Sequence, residues 1–234
     1  MNLAPIAIAR NGFTDKFGIP RQVCADSCLR TRIVFCPSFR SPDAIRGIEA
    51  FSHLWLIWGF HAANRGQSTE SSNPQSFKSS NHLTVRPPRL GGNTRMGVFA
   101  TRSPFRPNPL GLTSVRLLGV EHTPTEGAVL IVEGADMLDG TPIYDIKPYL
   151  SYSDSHPDAR NGFVDTTPRN QLHVVWPESL PPELPIRELQ EILAQDPRPA
   201  YHDDPDRIYG FDYAGWNIHF RVNDQTLTVT DIRH

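Results

Sequence analysis

A chain of 234 residues and 26.3 kDa is long enough to bury a real core, in one large or two modest domains. Its 23 basic and 25 acidic side chains leave a formal charge of −2, so general polyanion affinity is excluded and any nucleic-acid site has to be local. Three cysteines, Cys24, Cys28 and Cys36, are odd in number and lack the paired C-x-x-C spacing of a structural zinc, so neither a disulfide framework nor a metal site is expected.

The apolar run within Met1 to Arg10 is too short for a signal peptide or a membrane span, which predicts a soluble, cytoplasmic protein. Pro5 to Arg10 reads as an edge strand and Ile33 to Cys36 as a second strand. Ser41 as cap, Pro42 at the first helical position and Asp43 against the helix dipole predict a short helix that Gly47 ends. From His53 to Phe60 the apolar residues are continuous and aromatic, the pattern of a strand buried on both faces. Residues 62–82 are rich in Ser and Asn without apolar period and read as a surface loop, of the kind that can also close over a ligand.

The stretch from Arg86 to Arg116 holds six arginines and lies inside an interval, between Glu70 and Glu121, that contains no acid. Prolines beside Arg86, Arg89 and Arg106 fix the backbone next to the charge, and a pre-set guanidinium loses less entropy when it grips phosphate or carboxylate. An anionic ligand is expected here. The acidic counterweight lies between Glu183 and Asp212, where eight acids face Arg187, Arg198 and Arg207.

Met96 to Ala100, Leu112 to Val120 and Ala128 to Val132 read as strands, Asp139-Gly140 as a tight turn, and Thr141 to Tyr149 as a segment carrying an acid and a lysine. Residues 151–181 form a polar junction interrupted by a strand at Leu172 to Trp176. Leu184, Ile186, Leu189, Ile192 and Leu193 then have helical spacing, which Pro197 stops, and alternation from Trp216 to Val229 around Asn223-Asp224-Gln225 predicts a hairpin. The predicted fold is mainly β. A barrel-like or strongly curved sheet occupies residues 1–150, and a linker with a small α+β domain occupies 151–234, its helix at about 184–195 and its hairpin at about 215–232.

No G-x-S-x-G elbow, P-loop, G-x-G-x-x-G turn or His pair flanking a Glu at metal-ligand spacing occurs. The residues alone therefore describe a β-rich protein that grips an anionic, RNA-like ligand through arginines, and leave open whether it only binds or also catalyses.

Longer strings narrow this. Pro20-Arg21-Gln22, Gly47 to Trp55, Val85 to Asn93, Arg95 to Pro109, Asp139 to Pro142, Asp145 to Tyr149 and Asp196 to Tyr201 together resemble, in order and across both proposed domains, the TsaA-like (TrmO) family of tRNA methyltransferases. The resemblance implies a single-sheet β-barrel, usually a homodimer. It implies S-adenosylmethionine as methyl donor and N6 of threonylcarbamoyladenosine at position 37 of the tRNA anticodon loop, that of tRNA-Thr, as acceptor. The alternatives are a non-enzymatic RNA-binding β module and a methyltransferase acting on another substrate.

Carried over by position, the resemblance places the methyl donor among Val23, Cys24, Ala25, His61, Ala62, Arg102, Leu112 and the turn Glu133, Gly134, Ala135, Asp136. Arg102 suits the donor's carboxylate, and Asp136 its ribose hydroxyls or amino group; the other reading of Asp136 is a turn-capping acid, and of His61 a satisfied histidine at a strand end. Arg86 and Arg89, with Arg198 and Tyr201 in the second domain, are candidates for gripping the RNA. Arg106, Asn108 and Lys147 are candidates for holding the carboxylate of the modified base, and Asp139 or Tyr144 for orienting or removing the N6 proton, with ordinary Asp-Gly turn chemistry as the alternative for Asp139.

Overall fold

The computed structural model describes residues 3–20, 26–61, 83–167, 171–198 and 204–234. Strand β1 (Ala7–Arg10) pairs with β2 (Arg30–Phe35); β3 (His53–Gly59) follows three single-turn 3-10 segments. The middle one, Pro42–Ile45, is the helix the Ser41-Pro42-Asp43 signal predicts, with the Asp43 N–H donating to Ser41 Oγ at 3.3 Å, although it coils as a 3-10 turn. A short pair, β4 (Thr84–Val85) and β5 (Met96–Gly97), precedes the long strands β6 (Leu110–Thr123), β7 (Gly127–Glu133) and β8 (Pro142–Pro148).

Six of these strands hydrogen-bond antiparallel in the order β1-β2-β7-β6-β3-β8, and β8 pairs back onto β1 through Ala7 opposite Ile143. The sheet therefore has no free edge, and β1, which the sequence reads as an edge strand, is paired on both sides. Its inward residues are the small Ala7 and Ala9, which leave room for Phe35, Leu54, Leu56 and Trp58 to fill the interior. Fully burying a side chain of that size stabilises by about 1.5–3 kcal/mol.

The aromatic run in β3 is not buried on both faces. Leu54, Leu56 and Trp58 point into the core, whereas His53, Trp55 and Ile57 are half-buried. On that outer side Trp55 packs on Tyr149, ring centroids 5.6 Å apart, and its indole N–H donates to Asp154 Oδ2 at 2.8 Å. Met96 to Ala100 divides into β5 and a 3-10 turn at Val98–Ala100.

Two one-turn helices, α1 (Ser151–Asp154) and α2 (Phe163–Thr166), lead to β9 (His173–Val175) and helix α3 (Ile186–Ala194). Strands β10 (Tyr209–Tyr213), β11 (Trp216–Asn223) and β12 (Thr226–Arg233) complete a second sheet in the order β10-β11-β12-β9. Leu189, Ile192 and Leu193 of α3 cover one face of it. The helix ends as Asp196 enters the left-handed region ahead of Pro197, and Asp224, also left-handed, closes the β11–β12 hairpin.

Part of the N-terminal half packs with this second core. Phe13, Leu29 and, less deeply, Phe17 and Ile19 join it, Phe13 bridging to Tyr213 and the Ala214 N–H donating to the Gly12 carbonyl at 2.9 Å. Residues between β1 and β2 thus tie the two sheets together.

Candidate active site

Antiparallel pairing brings six strand ends to one rim of the closed sheet: the last residues of β1, β3 and β7 and the first of β2, β6 and β8. Most of the described candidate donor-binding positions lie at or just past these strand ends. Gly59 stands opposite Leu110 and Trp58 opposite Gly111, so the end of β3 lies against the start of β6. Gly111 has to be glycine: a Cβ there would stand much closer to the Trp58 ring than van der Waals contact allows.

Past the end of β7, the segment from Gly134 to Thr141 runs across the rim. Gly134, in the left-handed region, donates its N–H to the Leu29 carbonyl at 3.1 Å. Ala135 is fully buried in the first core. Asp136 comes back toward β6, where Thr113 Oγ1 donates to its Oδ1 at 2.7 Å, and Thr113 in turn accepts from the indole N–H of Trp58 at 3.0 Å. Burial pushes the Asp136 carboxyl above the usual range, while the Thr113 hydroxyl, its own backbone N–H and the charge of Arg102 pull it down. Sequence reasoning missed Trp58 and Thr113. The hydrophobic stretch around Trp58 reads as core, and nothing in a lone Thr announces a half-buried carboxylate beside it.

Glu133 is differently placed. It lies opposite Arg30 on β2 and Arg116 on β6, and its carboxylate is buried between their guanidinium groups, with Arg30 Nε 3.5 Å from Oε1 and Arg116 Nη2 and Nε on Oε2, the latter at 3.1 Å. Both oxygens are occupied by the protein. Asp139 is likewise engaged: the Asn11 N–H donates to Oδ1 at 3.0 Å and Arg10 Nη1 to Oδ2 at 3.1 Å. Asn11 also donates to the Met137 carbonyl and accepts from Phe13 N–H, so it fastens the rim segment to the end of β1.

His61 follows β3 with Nδ1 3.4 Å from Thr141 Oγ1, whose hydroxyl donates to the Leu138 carbonyl. Tyr144 is the extra residue of a bulge, since Trp58 pairs with Ile143 and Ile57 with Asp145. The bulge turns the phenol across Gly59, where a Cβ would stand 2.8 Å from the ring. Lys147 lies further along β8, opposite Trp55, with Nζ 2.9 Å from Asp145 Oδ2; three residues of strand put it about 10 Å from Tyr144.

The arginine stretch joins the rim from outside. The Phe60 N–H donates to the Pro109 carbonyl at 2.9 Å, which seats the Arg106 to Asn108 turn at the end of β3. Arg106 Nη1 donates to the Thr101 carbonyl at 3.1 Å, and the Asn108 carbonyl accepts from Leu110 N–H. Among the described residues, Arg86, Arg89, Arg95 and Arg102 form no ion pair. Beside them Phe99, Phe105 and Leu112 are 75, 65 and 58 % exposed, an apolar surface that folding alone does not require.

Arg198 is only 11 % exposed, with Nε and Nη2 each 2.9 Å from an Asp196 carboxylate oxygen. Val23, Cys24, Ala25, Ala62 and Tyr201, together with loop 62–82, lie outside the described residues. No cluster of His, Cys, Asp and Glu suited to a metal occurs among the described residues, and none of their helices is long and apolar enough to cross a membrane.

Comparison with known proteins bears on both sheets. Residues 8–155 match the family described as the tRNA-methyltransferase O N-terminal domain, and residues 171–234 the TrmO C-terminal domain. The chain is 38% identical over 238 residues to a tRNA (adenine(37)-N6)-methyltransferase of Escherichia coli (strain K12), covering 96% of this chain and 94% of that protein. It is 48% identical over 180 residues to a protein of the same name from Eikenella corrodens, covering 74% of this chain and 92% of that one. A crystal structure of TrmO from Pseudomonas aeruginosa superposes with a TM-score of 0.76 at 31% identity, covering 100% of this chain and 99% of that chain.

Proposed function

We propose, because this chain belongs to the tRNA-methyltransferase O family along both of its sheets, that it methylates N6 of the adenosine at position 37 of tRNA with S-adenosylmethionine as donor. The observation that carries this is the match over nearly the full length of relatives bearing that activity in their names. The rim fits such a donor chemically. Asp136 offers a carboxylate to an amino group or ribose hydroxyls, Arg102 a cation to a carboxylate, Leu112 an apolar wall to an adenine, and the backbone of the Glu133 to Asp136 turn polar groups to its edge.

S-adenosylmethionine, once bound, supplies a methyl group on a positively charged sulfur. The chain's own residues have the harder task of preparing the acceptor. In threonylcarbamoyladenosine, the substrate we favour, N6 lies between a purine and a carbonyl, so its lone pair is delocalised and its proton has to leave as the methyl arrives. The carboxylate of that modification is a handle for a cation, and in-line placement of N6 against the donor replaces a chance encounter. Arg106 and Asn108, seated at the end of β3, and Lys147 further along β8 are the proposed holders. Tyr144, turned toward the rim by its bulge, accepts the N6–H hydrogen bond and relays that proton to solvent as the N6–C bond forms and the S–C bond breaks; Asp139, with both oxygens engaged, fixes the rim segment beside it.

Arg86 and Arg89 grip the tRNA backbone. We further propose that the protein acts as a homodimer in the cytoplasm, the exposed Phe99 and Phe105 rings being apolar surface for a second copy to cover. The test is a nucleoside mass-spectrometric assay on tRNA-Thr with and without the threonylcarbamoyl group. Methylation of the modified tRNA alone is expected. No methylation of either would overturn the activity, and equal methylation of both would remove the modified base from it.

A further inference from the structure

Trp58, Thr113 and Asp136 form a hydrogen-bonded chain running from the first core to the rim, and its members have unequal chemical freedom. An indole N–H can only donate, so the 3.0 Å contact makes Thr113 Oγ1 an acceptor toward Trp58. The hydroxyl has one proton, and 2.7 Å away is Asp136 Oδ1. With Asp136 ionised, every proton in the chain has an acceptor: Trp58 to Thr113, Thr113 to Asp136. With Asp136 protonated on Oδ1 and donating back, the Thr113 proton would lose its partner; with the proton on Oδ2, Thr113 would donate to a neutral oxygen, a weaker bond than the charge-assisted one to the anion. The register is built for this contact, because Gly111 lets the Trp58 ring lie against β6 two residues before Thr113.

We propose that Thr113, oriented by Trp58, is a positioning residue that keeps Asp136 ionised with Oδ1 occupied and Oδ2 presented to the cationic amino end or ribose hydroxyls of the methyl donor. This rests on the donor site proposed above. Two other influences act on the carboxyl: burial, which favours the neutral acid, and the positive charge of Arg102, which favours the anion together with Asp136's own backbone N–H. Thr113 is the first of the opposing influences, so its removal leaves burial less balanced and moves protonation of Asp136 to higher pH. A carboxylate that binds a cation loses its grip as pH falls through its pKa. The variant therefore loses donor affinity at a pH where the wild-type chain still binds.

The experiment is calorimetric titration of S-adenosylhomocysteine, which shares the amino end and ribose, into wild type, Thr113→Val, Thr113→Ser and Asp136→Asn from mildly acid to mildly alkaline pH. Thr113→Val is expected to shift the acid fall in affinity upward by about one pH unit, a roughly tenfold loss at a pH inside that window. Thr113→Ser, which keeps the hydroxyl, is expected to follow the wild-type profile, and Asp136→Asn to bind weakly with no acid fall. Should Thr113→Val not fold, Thr113→Ala gives the same comparison. A Thr113→Val profile that superposes on wild type, a Thr113→Ser profile as displaced as that of Val, or an Asp136→Asn variant that binds like wild type would each overturn the inference while leaving the methyl-donor reading intact. A wild-type chain that binds no S-adenosylhomocysteine would instead overturn the donor reading itself, and this inference with it.

Discussion

Cys28 and Glu191, 163 residues apart, meet where the N-terminal segment packs on helix α3: the backbone N–H of Cys28 donates to Glu191 Oε2 at 2.8 Å and its thiol reaches the same oxygen at 3.4 Å. Burial first, and then this carboxylate, push the thiol up from 9.0 to about 11. A raised acid contributes stability that is fully present below its unfolded pKa and is lost as pH rises through the folded one, here between 9.0 and about 11. Cys28 should therefore react with iodoacetamide roughly a hundredfold more slowly than an ordinary thiol at neutral pH, because its thiolate fraction is that much smaller. Peptide mass spectrometry over a time course reads this directly. Reaction at the rate of free glutathione would mean that the contact does not form in solution. Glu191→Ala, which orphans the Cys28 N–H, should lower stability by about 1–3 kcal/mol in a denaturant titration.

Glu133 gives a test that separates support from binding. Its carboxylate is buried between Arg30 and Arg116, each directly opposite it on a neighbouring strand, so Glu133→Gln should cost about 1–3 kcal/mol by leaving two cations without their anion. That figure is below the range for fully buried pairs because both arginines are more than half exposed to solvent. Thermal melting is expected to shift downward while S-adenosylhomocysteine affinity holds. The reverse pattern, an unchanged melt with lost affinity, would return Glu133 to the donor site.

These residues also indicate how far the sequence reaches. Helix α3 and the β11–β12 hairpin follow from apolar spacing and turn residues because local pattern and final packing agree there. Strand β10 has no counterpart in the sequence reading, although Tyr209, Phe211 and Tyr213 alternate. Gly210 is where the His219 ring of the neighbouring strand lies, and that reason for a glycine exists only once the sheet is assembled. The same holds for Phe13 and Leu29, whose packing on the second sheet depends on contacts nearly two hundred residues away. At the rim, the order of motifs gathers Glu133, Asp136 and Asp139 into one candidate region. The division of labour among its carboxylates was not legible, since whether Glu133, Asp136 or Asp139 is occupied by arginine, threonine or backbone depends on strand register.

For the proposed RNA surface, the arginines without ion-pair partners among the described residues allow a countable prediction. Arg86→Ala and Arg89→Ala should each weaken tRNA binding and reduce the slope of log affinity against log salt by roughly one unit per phosphate contact removed. Donor affinity should stay at the wild-type value. A slope unchanged in both variants would make these side chains structural parts of the segment around the 3-10 turn Pro88–Leu90.

Lys147 and Arg106 test the acceptor. One Arg106 N–H already holds the Thr101 carbonyl and Lys147 already holds Asp145, so either side chain has to exchange or share a partner to take the carboxylate of a modified base. Each exchange is from a neutral carbonyl or an exposed carboxylate, both cheap to release, to a carboxylate aligned beside the donor. Arg106→Ala should also loosen the Thr101 to Arg106 turn, so Arg106→Lys, which keeps the charge and loses the fork, separates turn geometry from the clamp. Lys147→Ala carries no such complication. It should lose at least about tenfold in methyl transfer to threonylcarbamoylated tRNA, the order expected for one charge-assisted hydrogen bond of about 1.4 kcal/mol or more. Its S-adenosylhomocysteine affinity should not move, because Lys147 stands on β8 opposite Trp55, well along the strand from the rim, at Pro142, where the donor is proposed to bind. Full activity in Lys147→Ala would remove it from the clamp and leave the carboxylate to Arg106 and Asn108 at the end of β3. Loss of transfer together with loss of donor binding would mean that the strand itself had been disturbed, which the thermal melt of the same variant would show.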